Sequence, residues 1–132
     1  MQTITTFLMF DGKAEQAMNL YVSLFADSEI RSISRYGENE EGPVGAVRHA
    51  VFSLNGQSFM CIDSAVKHGF TFTPAMSLHV TCATESEIDK LYAALSQGGQ
   101  VFMPLDAYPF SKKYAWLSDQ YGVSWQLMLA DA

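Results

Sequence analysis

Apolar and polar positions along the chain describe the same succession twice: a strand, a helix, then three strands. Thr3-Ile4-Thr5-Thr6-Phe7-Leu8-Met9-Phe10 mixes β-branched and aromatic residues, which predicts a strand ended by Asp11-Gly12. Ala14, Ala17, Met18, Tyr21, Leu24 and Phe25 then recur at three- and four-residue steps, so a helix with one buried face follows, with Asp11 or a neighbour placed to cap it. Residues 30–36 and 46–54 carry strand patterns on either side of a polar, Gly-containing loop. Asn55-Gly56 joins the second of them to residues 57–63 as a hairpin, because both central positions of the favoured two-residue turn need positive φ.

After a connector over residues 66–74 the order restarts with a strand at 76–82. The capping box Thr84-Glu85-Ser86-Glu87 opens a helix whose apolar face is Ile88, Leu91, Tyr92 and Leu95, and Gly98-Gly99 supplies a left-handed stop. Residues 100–105, 114–117 and 123–129 are three further strands. The two βαβββ modules, about 1–66 and about 75–132, can be matched to each other. Thr6 falls on Ser77 and Tyr21 on Tyr92 at one offset of 71 residues, while Gly56-Gln57-Ser58-Phe59-Met60 falls on Gly122-Val123-Ser124-Trp125-Gln126 at 66.

Such a duplicated α+β unit buries the helical side of a curved mixed sheet and leaves the other side around a concave pocket. Strand alternation assigns the side chains. With Val123, Trp125 and Leu127 beneath the helix, Ser124, Gln126 and Met128 face the concavity. The same parity sends Ile4, Thr6, Leu8, Ser58, Met60, Ile62, Ser77, His79 and Thr81 there. Apolar walls with small neutral polar groups suit a small-molecule cleft, although a half-wetted sheet face has the same make-up.

A chain of 132 residues, 48% hydrophobic, builds one compact domain and not two independent ones. Its net charge of −6 leaves no basic footprint, which argues against nucleic acid and anionic membranes as partners. No apolar run approaches the roughly 20 residues that span a bilayer, and no charged-then-apolar leader opens the sequence. A soluble, cytoplasmic protein is the expectation. Cys61 and Cys82 stand apart in strand-like stretches, outside any Cys-x-x-Cys arrangement, as small buried hydrophobes. Ser58 and Ser124 have no legible His-carboxylate relay. Asp119 opens the turn Asp119-Gln120-Tyr121-Gly122, where binding local N–H groups explains it better than an acid-base pairing with Asp63. Lys112 and Lys113 read as solvated loop charges, and Trp116, Tyr114, Phe70, Phe72, Tyr108 and Phe110 as lining for a pocket or a dimer seam.

Four segments carry a family resemblance: Phe7 through Ala17, Phe70-Thr71-Phe72-Thr73-Pro74-Ala75-Met76-Ser77-Leu78, Gly98-Gly99-Gln100-Val101-Phe102-Met103-Pro104-Leu105, and Trp116 through Leu127. Together they resemble the PhnB-like branch of the vicinal oxygen chelate superfamily, the glyoxalase, bleomycin-resistance and extradiol dioxygenase group. The resemblance implies paired βαβββ modules and commonly a homodimer. It also implies metal ligands, in the metalloenzyme members, at positions corresponding to Thr6, Met60, Ser77 and Gln126. Hydroxyls and a thioether are poor substitutes for imidazole, carboxylate or thiolate, so no metal and no cofactor is expected here. His79, two residues beyond Ser77, could ligate or act as a base, or simply fill the sheet face with a hydrogen bond.

Many relatives are labelled as ubiquinone-pathway methyltransferases, but no Gly-rich nucleotide-binding turn is legible in this sequence. The expectation is a metal-independent protein holding a small organic ligand among Thr6, Leu8, Met60, Ser77, His79, Gln126 and Trp116. Two alternatives stand beside it. One is a metal-assisted lyase, isomerase or dioxygenase recruiting His79 and Gln126, perhaps with Asp63. The other is a resistance-like protein that sequesters a cationic antibiotic.

Overall fold

A computed structural model of the chain describes residues 1–131. The elements run β1 (Thr6–Phe10), α1 (Ala14–Leu24), β2 (Glu29–Arg35), β3 (Val47–Leu54), β4 (Gln57–Asp63), β5 (Ser77–Cys82), α2 (Glu85–Ser96), β6 (Gln100–Tyr108), β7 (Ser111–Ser118) and β8 (Ser124–Leu129). They form two compact units, Met1–Gly69 and Phe70 onward. Each unit has a mixed four-stranded sheet with one helix on one face, ordered β1-β4-β3-β2 in the first and β5-β8-β7-β6 in the second. In both, the first strand runs parallel to the last and the remaining pairs are antiparallel. Neither sheet closes into a barrel, and no helix among the described residues is long and apolar enough to cross a membrane.

In the first unit Ala14, Ala17, Met18 and Tyr21 of α1 are fully buried, together with Ala50, Phe52 and Cys61 of the sheet. The expected local cap does not form: Lys13 occupies the N-cap without a side-chain bond. Instead Asp63, 2% exposed at the end of β4, accepts hydrogen bonds from the backbone N–H of Ala14 at 2.9 Å and of Val47 at 3.0 Å. This one carboxylate satisfies an orphan donor of the helix start and anchors β3. Burial and the Asp63 charge push the Cys61 thiol up to about 12.

The second unit is capped locally. Thr84 Oγ1 accepts from Glu87 N while the Glu87 carboxylate accepts from Thr84 N, the reciprocal box its sequence predicts. Ile88 and Leu95 pack under α2 with Leu117, Trp125 and Leu127. Asp119 accepts from the N–H groups of Tyr121 and Val123 and from the Trp125 indole at 2.8 Å, so it braces both turn and core. Lys113 is not a solvated loop charge: it lies within β7 and its Nζ stands 2.7 Å from Asp89 and 3.3 Å from Glu85 on α2.

The repeat holds with one correction. Phe10 stands beside Asp63 and Cys82 beside Leu129, so the first strands correspond at an offset of 72 residues, not 71. Three residues link β1 to α1 whereas two link β5 to α2, and an ungapped match cannot accommodate that difference. A one-residue slip turns every side chain to the other face. Thr6 and Leu8 stand beside Phe59 and Cys61 on the helical side, and Leu8 is buried there. They therefore leave the candidate pocket, and Phe7 and Met9 take the open face beside Met60 and Ile62. β1 also starts later than its composition predicts. It is an edge strand whose sole neighbour, β4, begins at Gln57 after the hairpin turn, and Ile4 is left fully exposed.

Candidate functional site

In the second unit, register places Ser77, His79 and Thr81 of β5 beside Ser124, Gln126 and Met128 of β8. Tyr114, Trp116 and Ser118 of β7 continue the same rows. All of these point away from α2, because the alternate residues Leu117, Trp125 and Leu127 fill the core under it. Four sequence-predicted residues, Ser77, His79, Trp116 and Gln126, thus share one face. Met60 occupies the corresponding face of the first unit's sheet.

A continuous hydrogen-bond chain crosses the second unit's face. Tyr114 Oη donates to Gln126 Oε1 at 2.6 Å, Gln126 Nε2 donates to Ser77 Oγ at 3.3 Å, Ser77 and Ser124 share a hydrogen at 2.6 Å, and Trp116 Nε1 donates to Ser124 Oγ at 3.0 Å. Burial, with Tyr108 nearby, raises the Tyr114 phenol above its usual range and keeps it a neutral donor. Aromatic rings border this chain on both sides. Phe102 lies 5.0 Å from Trp116 by ring centroids, and Phe110 meets Tyr114 edge-on at 4.9 Å. His79 is exposed beside Gln126.

An open cleft of about 440 Å³ meets this face at Phe102 and Ser118; Phe72, Gly99, Asp119 and Gln120 also line it, and none of the five hydrogen-bonded side chains does. A Cβ at Gly99 would come within 2.1 Å of the Ser118 carbonyl oxygen, so the second glycine of Gly98-Gly99 is required by close approach, while Gly98, at φ +72°, makes the helix stop. Sequence assigned the pair to the helix stop alone. It faced Ser124 into the concavity and read Tyr114 as lining for a pocket or a seam, but counted neither among the residues that hold the ligand.

The positions at which metalloenzyme members take ligands do not fit a divalent cation here. Thr6 points to the helical side, and at the corrected offset the counterpart of Ser77 is Thr5, another hydroxyl. Gln126 Oε1 accepts from Tyr114, and Ser77 belongs to the hydroxyl chain. Among the described residues no three His, Cys, Asp or Glu side chains converge, and Asp63 already uses both carboxylate oxygens.

Residues 2–128 match the model of the family described as 3-demethylubiquinone-9 3-methyltransferase. A PhnB protein from Bacillus cereus is 68% identical over 98% of this chain and 100% of its own, with a TM-score of 0.96. The fold extends to distant structures. A glyoxylase/bleomycin resistance protein/dioxygenase domain from Frankia is 14% identical over 99% of this chain and 93% of its own, with a TM-score of 0.68. The fosfomycin resistance protein FosX from Mesorhizobium loti is 8% identical over 98% and 92%, with a TM-score of 0.65. No curated protein matches the chain. With two βαβββ units and a family match over nearly its whole length, the chain belongs to the 3-demethylubiquinone-9 3-methyltransferase family, the PhnB-like branch of the vicinal oxygen chelate superfamily.

Proposed function

We propose that the protein binds a compact, partly apolar organic molecule on the open face of the β5–β8 sheet without a metal ion. The observation that carries this is the chain Tyr114-Gln126-Ser77-Ser124-Trp116, five uncharged polar side chains bonded to one another and bordered by aromatic rings. Small-molecule sites have this make-up, apolar walls with a few convergent polar groups. The donor set favours neutral recognition over chelation. A homodimer and a cytoplasmic location belong to the same proposal.

A thermal-shift screen of neutral aromatic and aliphatic compounds tests it. A ligand at one hundred times its Kd adds about 2.7 kcal/mol to stability, enough to raise the melting temperature by several degrees. The rise should vanish in Trp116→Ala and persist in Met60→Ala. No response to any class would overturn the proposal.

A second reading, capture of a cationic antibiotic, draws on the net charge of −6 and on the bleomycin-resistance name of the Frankia structure. Calorimetry with a cationic glycopeptide at two salt concentrations tests it, and salt-sensitive heat is the result it requires.

A further inference from the structure

Counting hydrogens on the open face of β5–β8 leaves two of them over. The 2.6 Å separation of Tyr114 Oη and Gln126 Oε1 suits an O–H donor and is short for N–H, which turns the amide nitrogen toward Ser77. Trp116 Nε1 can only donate, so Ser124 Oγ accepts from it. One more hydrogen lies between the two serines. Ser124 is 2% exposed and Ser77 is half-buried, so Ser124 donates to Ser77, since the reverse would strand a hydroxyl hydrogen away from water. Ser77's own hydrogen and the second amide hydrogen of Gln126 then have no partner among the described residues. Their parent atoms are 3.3 Å apart.

We propose that Ser77 Oγ–H and Gln126 Nε2–H form a two-donor cradle for a single neutral acceptor oxygen, so that the ligand class is a planar carbonyl compound. Two donors at this spacing can both reach one oxygen at ordinary hydrogen-bond distance. None of the five linked side chains carries a formal charge, so a carboxylate would meet no counter-charge among them, whereas a carbonyl needs none. Phe102 and Trp116, their ring planes 49° apart, each offer an aromatic face against which a flat ring can lie. Tyr114 is a positioning residue: by occupying Gln126 Oε1 it sets which end of the amide faces the ligand.

This inference rests on the proposed binding face, and NMR titration of the ¹⁵N-labelled chain separates the two. The probes are 1-indanone, indane and 1-indanecarboxylate, and the readout is the Trp116 indole resonance, with that of Trp125, bonded to Asp119 in the core, as the check on folding. The cradle predicts that 1-indanone binds at least about fivefold tighter than indane, the value of one net hydrogen bond. Gln126→Glu keeps an acceptor for Tyr114 and removes the N–H. It should abolish that preference, leaving 1-indanone and indane equal in that variant, and Ser77→Ala should reduce it. Equal affinity for 1-indanone and indane, or tighter binding of the carboxylate, overturns the cradle and leaves the binding face standing. Failure of all three to move the Trp116 resonance overturns the binding face as well.

Discussion

On the open side of the first sheet Phe7 and Met9 stand beside Met60 and Ile62; at the corresponding positions of the second are His79 and Thr81 beside Gln126 and Met128. Strand order and pairing are the same in both units, so backbone geometry does not decide what these faces do. One offers rings and thioethers, the other a hydrogen-bonded amide and hydroxyls. Duplication supplied two equivalent surfaces, and in these rows the second carries the linked amide and hydroxyls that the first lacks.

Buried anchoring differs between the units too, and alkaline pH is the strongest way to sharpen that contrast. Burial raises the Cys61 thiol to about 12 and the Cys82 thiol to about 11. The unfolded chain loses these protons near pH 9 and the folded chain holds them longer, so folding stability falls as pH rises above 9. Cys61→Ala and Cys82→Ala should each flatten that fall in urea titrations between pH 8 and 11, and a fall that neither variant changes would contradict the burial of the two thiols.

Next in size are the helix caps. Asp63→Ala strands two buried N–H groups, and at roughly 1–3 kcal/mol each the expected loss is about 3 kcal/mol. Thr84→Ala removes a local cap and should cost about 1 kcal/mol. Urea unfolding of the two variants checks the ranking, and a reversed order would contradict the long-range cap. On the open faces, Gln126→Ala should weaken a carbonyl ligand roughly fivefold through one lost hydrogen bond, while Met60→Ala leaves its affinity unchanged by calorimetry. The smallest effect belongs to Glu15, whose carboxyl is held below its usual range chiefly by its hydrogen bonds to Arg35. Because this pair is exposed, Glu15→Gln should move the melting temperature too little to resolve at pH 7, and the difference from the unsubstituted chain should vanish altogether as pH falls below the carboxyl's range.

The same contrast explains what could be read in advance. The Thr84 capping box and the Asn55-Gly56 hairpin are local, written within four consecutive residues or fewer, and both stand where sequence put them. The α1 cap comes from Asp63, 49 residues away, and no local pattern announces it. Alternation along β5 and β8 placed Ser77, His79 and Gln126 on one face, and Trp116, chosen as an aromatic lining residue, stands on it too. Alternation failed for Thr6 and Leu8 because their assignment was copied from the second module across a link one residue longer. β6 and β7 extend beyond the predicted strands because their pairing shifts register at three points, which blurs the period of two. The Tyr114–Gln126 bond depends on how two strands align, and that is not a property of either strand's sequence.

The most direct test of metal-free binding on the second unit's face is titration of 1-indanone into the ¹⁵N-labelled chain, with and without excess EDTA, following the two indole resonances. The account predicts that the Trp116 resonance moves along the same curve in both while that of Trp125 stays in place. A response that EDTA abolishes and an added divalent ion restores would contradict it.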